Sequence, residues 1–230
     1  MSVMNAAAPP PRRGRPPKAE AQLTRSAIRE AALTVIDREG IAALSMRSVS
    51  RLLGVDAKSL YHHVADKDDL LDAVAELLLS QLAAPEPTGD VRTDLKALAD
   101  EFRRVTLAHP EAAPLVLTRQ ISTLPGLAPT EAVLSVLRRA GAGPEQAVHL
   151  LRVLLAALVG MLLREVSAGP TFGSDDASDM TQRQDDLERS ELPEITAAAP
   201  FLARFDRDRE FASGVDLLVD FAAFQLDRLT

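Results

Sequence analysis

There is no cysteine anywhere in the 230 residues. Disulfides, thiolate zinc sites and a cysteine nucleophile are therefore excluded, a composition that suits a reducing cytoplasm. Aromatic residues are scarce, at 3%, so the 47% hydrophobic content rests mostly on Leu, Ala and Val. That balance predicts helices. Long apolar runs are missing too: the most apolar stretch, Val153 to Leu163, is far shorter than the roughly 18 residues of a membrane span and predicts a buried helix. The first residues carry no apolar core with a cleavage site behind it, so no export signal and a cytoplasmic location are expected. Catalytic signatures are absent as well. The sequence holds no phosphate-binding Gly-x-x-x-x-Gly-Lys, no nucleophile elbow and no histidine pair at metal spacing. Gly141-Ala142-Gly143 follows no strand and reads as a helix corner, and the carboxylates of 175–194 read as solvated charge. An enzyme is thus the least supported class, with no cofactor and no metal expected.

What is present is unevenly charged. Residues 1–63 hold 10 Lys and Arg against 5 Asp and Glu, net +5, and the remainder holds 16 against 28, net −12. A polyanion is drawn to one end and repelled by the other. The basic end contains Ser45 to Val64, which reads as two short helices around a glycine turn. Ser45 is placed to cap the first helix, Val49, Leu52 and Leu53 share one side of it, and Gly54 suits the left-handed residue that ends it. In the second helix only Leu60 and, just beyond, Val64 are clear anchors. Ala57, Lys58, Ser59, Tyr61, His62 and His63 are left for contact with something else. This is the layout of a DNA-reading helix-turn-helix. It also fits any two amphipathic helices meeting at a glycine.

Residues 1–22 are Pro, Ala and Arg without periodicity and are expected to be disordered. Within them Arg12, Arg13, Arg15 and Lys18 surround an Arg-Gly-Arg-Pro core like that of a minor-groove AT-hook; a solvated basic tail is the alternative. Thr24 opens a helix to about Glu39, completing a three-helix head over 23–66. Asp66 opens a connecting helix over 67–84, with Asp69 at the capping-box position. Pro85 to Gly89 is the clearest break. Beyond it, a helical body over 90–230 is expected, with helices near 90–109, 111–121, 129–140, 144–167 and 207–228, another within 183–199, and a mobile loop over Gly169 to Glu191. The whole is all-α, with about nine or ten helices. Helices 144–167 and 207–228 carry apolar residues beyond what one core covers, which predicts a homodimer through a four-helix interface; a single thick core is the alternative.

These residues resemble the tetracycline-repressor (TetR) family of bacterial transcription regulators. The likeness is carried by Gly40, Leu44-Ser45-Met46-Arg47, Leu53-Gly54-Val55, Leu60-Tyr61-His62-His63-Val64, Lys67 and Leu70-Leu71-Asp72, and more weakly by Leu107-Ala108-His109-Pro110 and Thr118-Arg119. The resemblance implies a homodimer on a palindromic double-stranded operator, released by a small-molecule effector. Arg47, Ala57, Lys58, Tyr61 and His63 would face the major groove, with Ser59 beside them, and Lys67 would lie on phosphate. Tyr61 has a competing role as a ring packed on the first helix. The subgroup that binds magnesium-tetracycline uses histidines and an asparagine where Ala83, Leu98 and Val116 stand here, so a metal chelate is not expected. A pocket of Leu98, Phe102, Val116, Leu117, Leu151, Leu155 and Leu158, with polar points from His109, Arg119, Gln120 or His149, implies a largely apolar organic effector. The histidines fit a structural role equally well. An architectural A·T-rich DNA-binding protein, without effector, is the alternative function.

Overall fold

The computed structural model describes residues 23–119, 125–168, 172–174 and 176–228. These form eleven α-helices, and the described residues contain no strand beyond one isolated bridge between Ser174 and Arg204. The basic arm with Arg12, Arg13, Arg15 and Lys18, and Gln120, lie outside the described residues.

The head is α1 (Arg25–Glu39), α2 (Met46–Leu53) and α3 (Ala57–Leu60). Thr24 caps α1 by accepting from the Ala27 amide, and Gly40, at φ 81°, ends it. Ser45 and Ser48 form a reciprocal capping box at the start of α2. Ile28, Ile36, Leu44, Val49 and Leu60 are fully buried together. Each contributes roughly 1.5–3 kcal/mol of apolar burial, which is what allows so small a unit to hold its shape.

Helix α4 (Lys67–Ser80) starts at Asp66, whose carboxylate accepts from the Asp69 amide. Asp69 in turn accepts from the Ala65 amide at 2.9 Å and pairs with Arg25 of α1 at 2.8 Å. The expected box is therefore present, with its return bond one residue earlier than the cap. At the far end of α4 the chain is tied to α5 (Val91–Ala108): Glu101 accepts from the Ala83 amide at 2.9 Å and from both forks of Arg104 at 2.7 Å. The proline-rich break that follows is also fastened. Thr88, through its amide and hydroxyl, and the Gly89 amide donate to the buried carboxylate of Asp94, and these bonds, Thr88's first, hold that carboxyl below its ordinary range.

The body continues through α6 (Ala113–Thr118), α7 (Ala128–Arg139), α8 (Pro144–Leu163) with a π-helical turn Arg164–Ala168, α9 (Ala177–Glu188), α10 (Pro193–Leu202) and α11 (Arg207–Asp227). Helix α9 corrects the expectation of a loop over 169–191. It has no buried residue, so it lacks the apolar stripe that betrays a helix in sequence. It is held instead by the Asp176 cap and by Gln182–Asp186 and Gln184–Glu188 bonds one turn apart. Pro144–Val166 is long and apolar enough to cross a membrane, with only 17% of its most apolar window buried. This corrects the sequence reading of a run too short for a span and of a buried helix: only Ala147, Leu150 and Leu162 of α8 are buried in the single chain.

The carboxyl of Glu101 is pushed down to about 2 from an ordinary 4.5, first by the Arg104 hydrogen bonds and then by the Ala83 amide. Its depressed value means that it stabilises the fold fully above about 4.5 and ceases to do so as pH falls toward 2. Glu101→Gln is expected to lower the melting temperature at neutral pH and to flatten the loss of stability between pH 4.5 and 2. Circular dichroism melts across that range check it; an unchanged acid limb would refute the role given to this pair.

Candidate nucleic-acid interface and ligand cavity

The turn between α2 and α3 forms as its residues dictate. Gly54 takes φ 68° and ψ 29°, its amide reaches Arg51, and the Val55 amide reaches Ser50. Asp56 then caps α3 by accepting from the Lys58 amide at 2.7 Å. One turn of helix is too short to persist in water, so it is pinned by Leu60 and Val64, at 0% and 2% exposed. This pinning leaves a polar edge outward. Lys58, Tyr61 and His62 are exposed, and Ala57, Ser59 and His63 are half-buried. Tyr61 is 57% exposed, so its ring is not buried against α2. Arg47, second residue of α2, and Lys67, first of α4, are exposed on either side. Neither they nor Lys58 forms an ion pair with any described residue, so their charge is available to phosphate or base edges.

A second feature lies in the body. A partly open cavity of about 440 Å³ is lined by the end of α4, α5, α6, α7, α8 and α11. The expected Leu98, Phe102, Val116, Leu117, Arg119, Leu151, Leu155 and Leu158 all line it. Leu79 and Leu82 of the α4 end, Val133 of α7, and Val215, Leu218 and Val219 of α11 also line it and were not anticipated. Periodicity marks these residues as core, and only the crossing of the helices turns core into wall. Ala83, Leu98 and Val116 bring no side-chain donor atom to this wall.

Two histidines depart from expectation. His109 does not reach the cavity: its Nδ1 lies 2.9 Å from Asp37 at the end of α1, because the residue caps α5 at the corner facing the head. His149 points outward on α8, exposed beside Glu145. The cation that does reach the wall, Arg119, is bound across to α4 through Asp72.

A head that presents a short polar helix and a body that carries an apolar cavity invite comparison with known proteins. The profile for "Bacterial regulatory proteins, tetR family" matches residues 28–74, and that for "Tetracyclin repressor-like, C-terminal domain" matches residues 84–220. The chain belongs to the TetR family. Within it, the tetracycline repressor protein class A from transposon 1721 of Escherichia coli is 31% identical over 199 residues, covering 83% of this chain and 86% of that protein. An HTH-type transcriptional regulator of Saccharopolyspora erythraea is 40% identical over 122 residues, 53% of this chain. The chain spans about half the length of that regulator, 52%, and 64% of the class E tetracycline repressor. Among solved structures, apo ActR from Streptomyces coelicolor matches with a TM-score of 0.81 at 27% identity, over 92% of this chain and 100% of that one. ActR in complex with actinorhodin matches with 0.78 at 28% identity, over 90% and 99%.

The His109–Asp37 contact is a bridge between body and head that does not pass through α4. His109→Ala is expected to speed amide exchange in the last turn of α1 severalfold while changing global stability by less than about 1 kcal/mol, the ordinary worth of a partly exposed pair. Hydrogen-exchange mass spectrometry reads this directly, and unchanged protection around Asp37 would remove the bridge from the account.

Proposed function

We propose that this TetR-family chain is a ligand-responsive transcriptional regulator, a repressor that holds a palindromic operator as a homodimer and lets go when a small, largely apolar organic effector fills the cavity. It acts in the cytoplasm and catalyses nothing. The observation that carries this reading is the position of α4. Its buried Leu70 and Val74 belong to the core shared with the head, and its Leu79 lines the cavity. A ligand that changes the cavity wall therefore moves the base of the reading head. Two heads must stand about 34 Å apart to enter successive major grooves, so a small tilt is enough to separate them from DNA, provided the effector favours the tilted state.

Arg47, Ala57, Lys58, Ser59, Tyr61 and His63 read or flank the bases, Lys67 grips phosphate, and the basic arm with Arg12, Arg13, Arg15 and Lys18 adds minor-groove contact. Pairing is supplied by the outer faces of α8 and α11. Val153 on one, and Leu217, Phe221 and Phe224 on the other, are 40–70% exposed in the single chain, an apolar surface that a second copy would cover. The effector class is supported by an aliphatic wall with few polar groups, and ActR was crystallised with the organic ligand actinorhodin.

Lys58→Ala or Tyr61→Ala is expected to weaken operator binding by about 5- to 100-fold, the range of one base contact, with the dimer intact. Selection of bound sequences from random DNA, followed by affinity measurement and sedimentation, checks both halves; wild-type affinity in these variants would refute the interface. Leu217→Glu should yield monomers that no longer bind the palindrome. Removal of residues 1–22 should reduce affinity and its salt slope without altering the preferred palindrome.

A further inference from the structure

Arg119 directly follows α6 and is the one cation on the cavity wall among the described residues. Its guanidinium is incompletely used. Nε donates to Asp72 Oδ1 at 2.8 Å and Nη2 lies 2.7 Å from the same oxygen, whereas Nη1 stands 3.6 Å from Asp68, beyond hydrogen-bond length. A guanidinium carries five N–H donors, so among the described residues capacity remains. Two other polar side chains of the wall are occupied: Glu101 is held by Arg104 and the Ala83 amide, and the Thr118 hydroxyl donates to the Pro114 carbonyl; Thr130 is the remaining hydroxyl on the wall. Asp72 and Asp68 are 42% and 80% exposed, so water readily replaces the guanidinium on them. An oxyanion on the drier, apolar side would bind that guanidinium more strongly than the exposed carboxylates do.

We propose that the effector is an apolar compound bearing one oxyanion, and that this oxyanion takes Arg119 away from Asp72. The inference rests on the cavity being the effector site. Its consequence is mechanical. Asp68 and Asp72 lie one turn apart on α4, and without the guanidinium between them they repel. At the same moment α4 loses its ionic tie to the end of α6. Arg119 is thus the point at which ligand charge becomes movement of the lever.

A matched pair of probes tests this: 8-anilinonaphthalene-1-sulfonate, an apolar body with an anion, and N-phenyl-1-naphthylamine, the same body without one. Fluorescence titration of the full chain is expected to show Arg119→Gln weakening the sulfonate about tenfold, the loss of one charge-assisted bond, with the neutral probe within about twofold. Asp72→Asn, which removes the competitor, should tighten the sulfonate about threefold or more and leave the neutral probe unchanged. Hydrogen exchange in α4 should rise with the sulfonate in the wild type and not in Arg119→Gln. Equal effects on both probes, or a sulfonate weakened by Asp72→Asn, would overturn the exchange of partners while leaving the cavity as an effector site. Leu98→Trp, which fills the cavity from α5, should abolish both probes; if it affects neither, the cavity reading itself falls, and this inference with it.

Discussion

Helix α4 is buried on behalf of two domains at once, and this double burial constrains everything else in the molecule. Leu70 and Val74 are fully buried where α1 lies across the helix, while Leu78 and Leu79 a turn or two later are buried in the body. Close-packed interiors do not deform continuously. A displacement at one end of such a helix is therefore carried to the other as a rigid motion rather than absorbed between them. The head does not hang from a linker. It shares a structural member with the cavity.

Around that helix the polar interactions act as tethers rather than as sources of stability. Arg25–Asp69, Arg119–Asp72, His109–Asp37 and the hydrogen bond from the Ala83 amide to Glu101 each join α4, its C-terminal extension or α1 to a neighbouring element. Apart from the largely buried Glu101, partly exposed pairs of this kind contribute little to folding energy, and most of the stability resides in the Leu, Ile and Val of the core. Their value is directional: each sets one element against another at hydrogen-bond length, and each can be exchanged without unfolding what it joins. Several carboxylates of an acidic chain, which in sequence look like a solvated field, are thereby drawn into specific positions around the lever.

The reading edge of α3 illustrates a trade between fold and function. A single helical turn with two apolar anchors would dissolve alone, and its polar residues are displayed only because Leu60 and Val64 are driven into a core built by α1 and α2. The outer faces of α8 and α11 pose the opposite problem. They hold more apolar surface than the chain itself covers, and the second copy proposed above would cover it.

Local order alone determined the all-α class, the capped starts at Thr24, Ser45 and Asp66, the left-handed turn at Gly54 and the outward side chains of α3, because each depends on residues within one or two turns of one another. The α5, α6 and α8 sides of the cavity wall were legible in part for the related reason that apolar spacing marks one helix face, while its α4, α7 and α11 sides were not. Tertiary structure decided the rest. Helix α9 has no apolar stripe to announce it, and His109 faces α1 instead of the cavity because the α5–α6 corner turns toward the head. The pairing of Arg119 with Asp72 joins residues 47 positions apart. Such contacts are set by how whole helices cross, and no window of neighbouring residues contains that information.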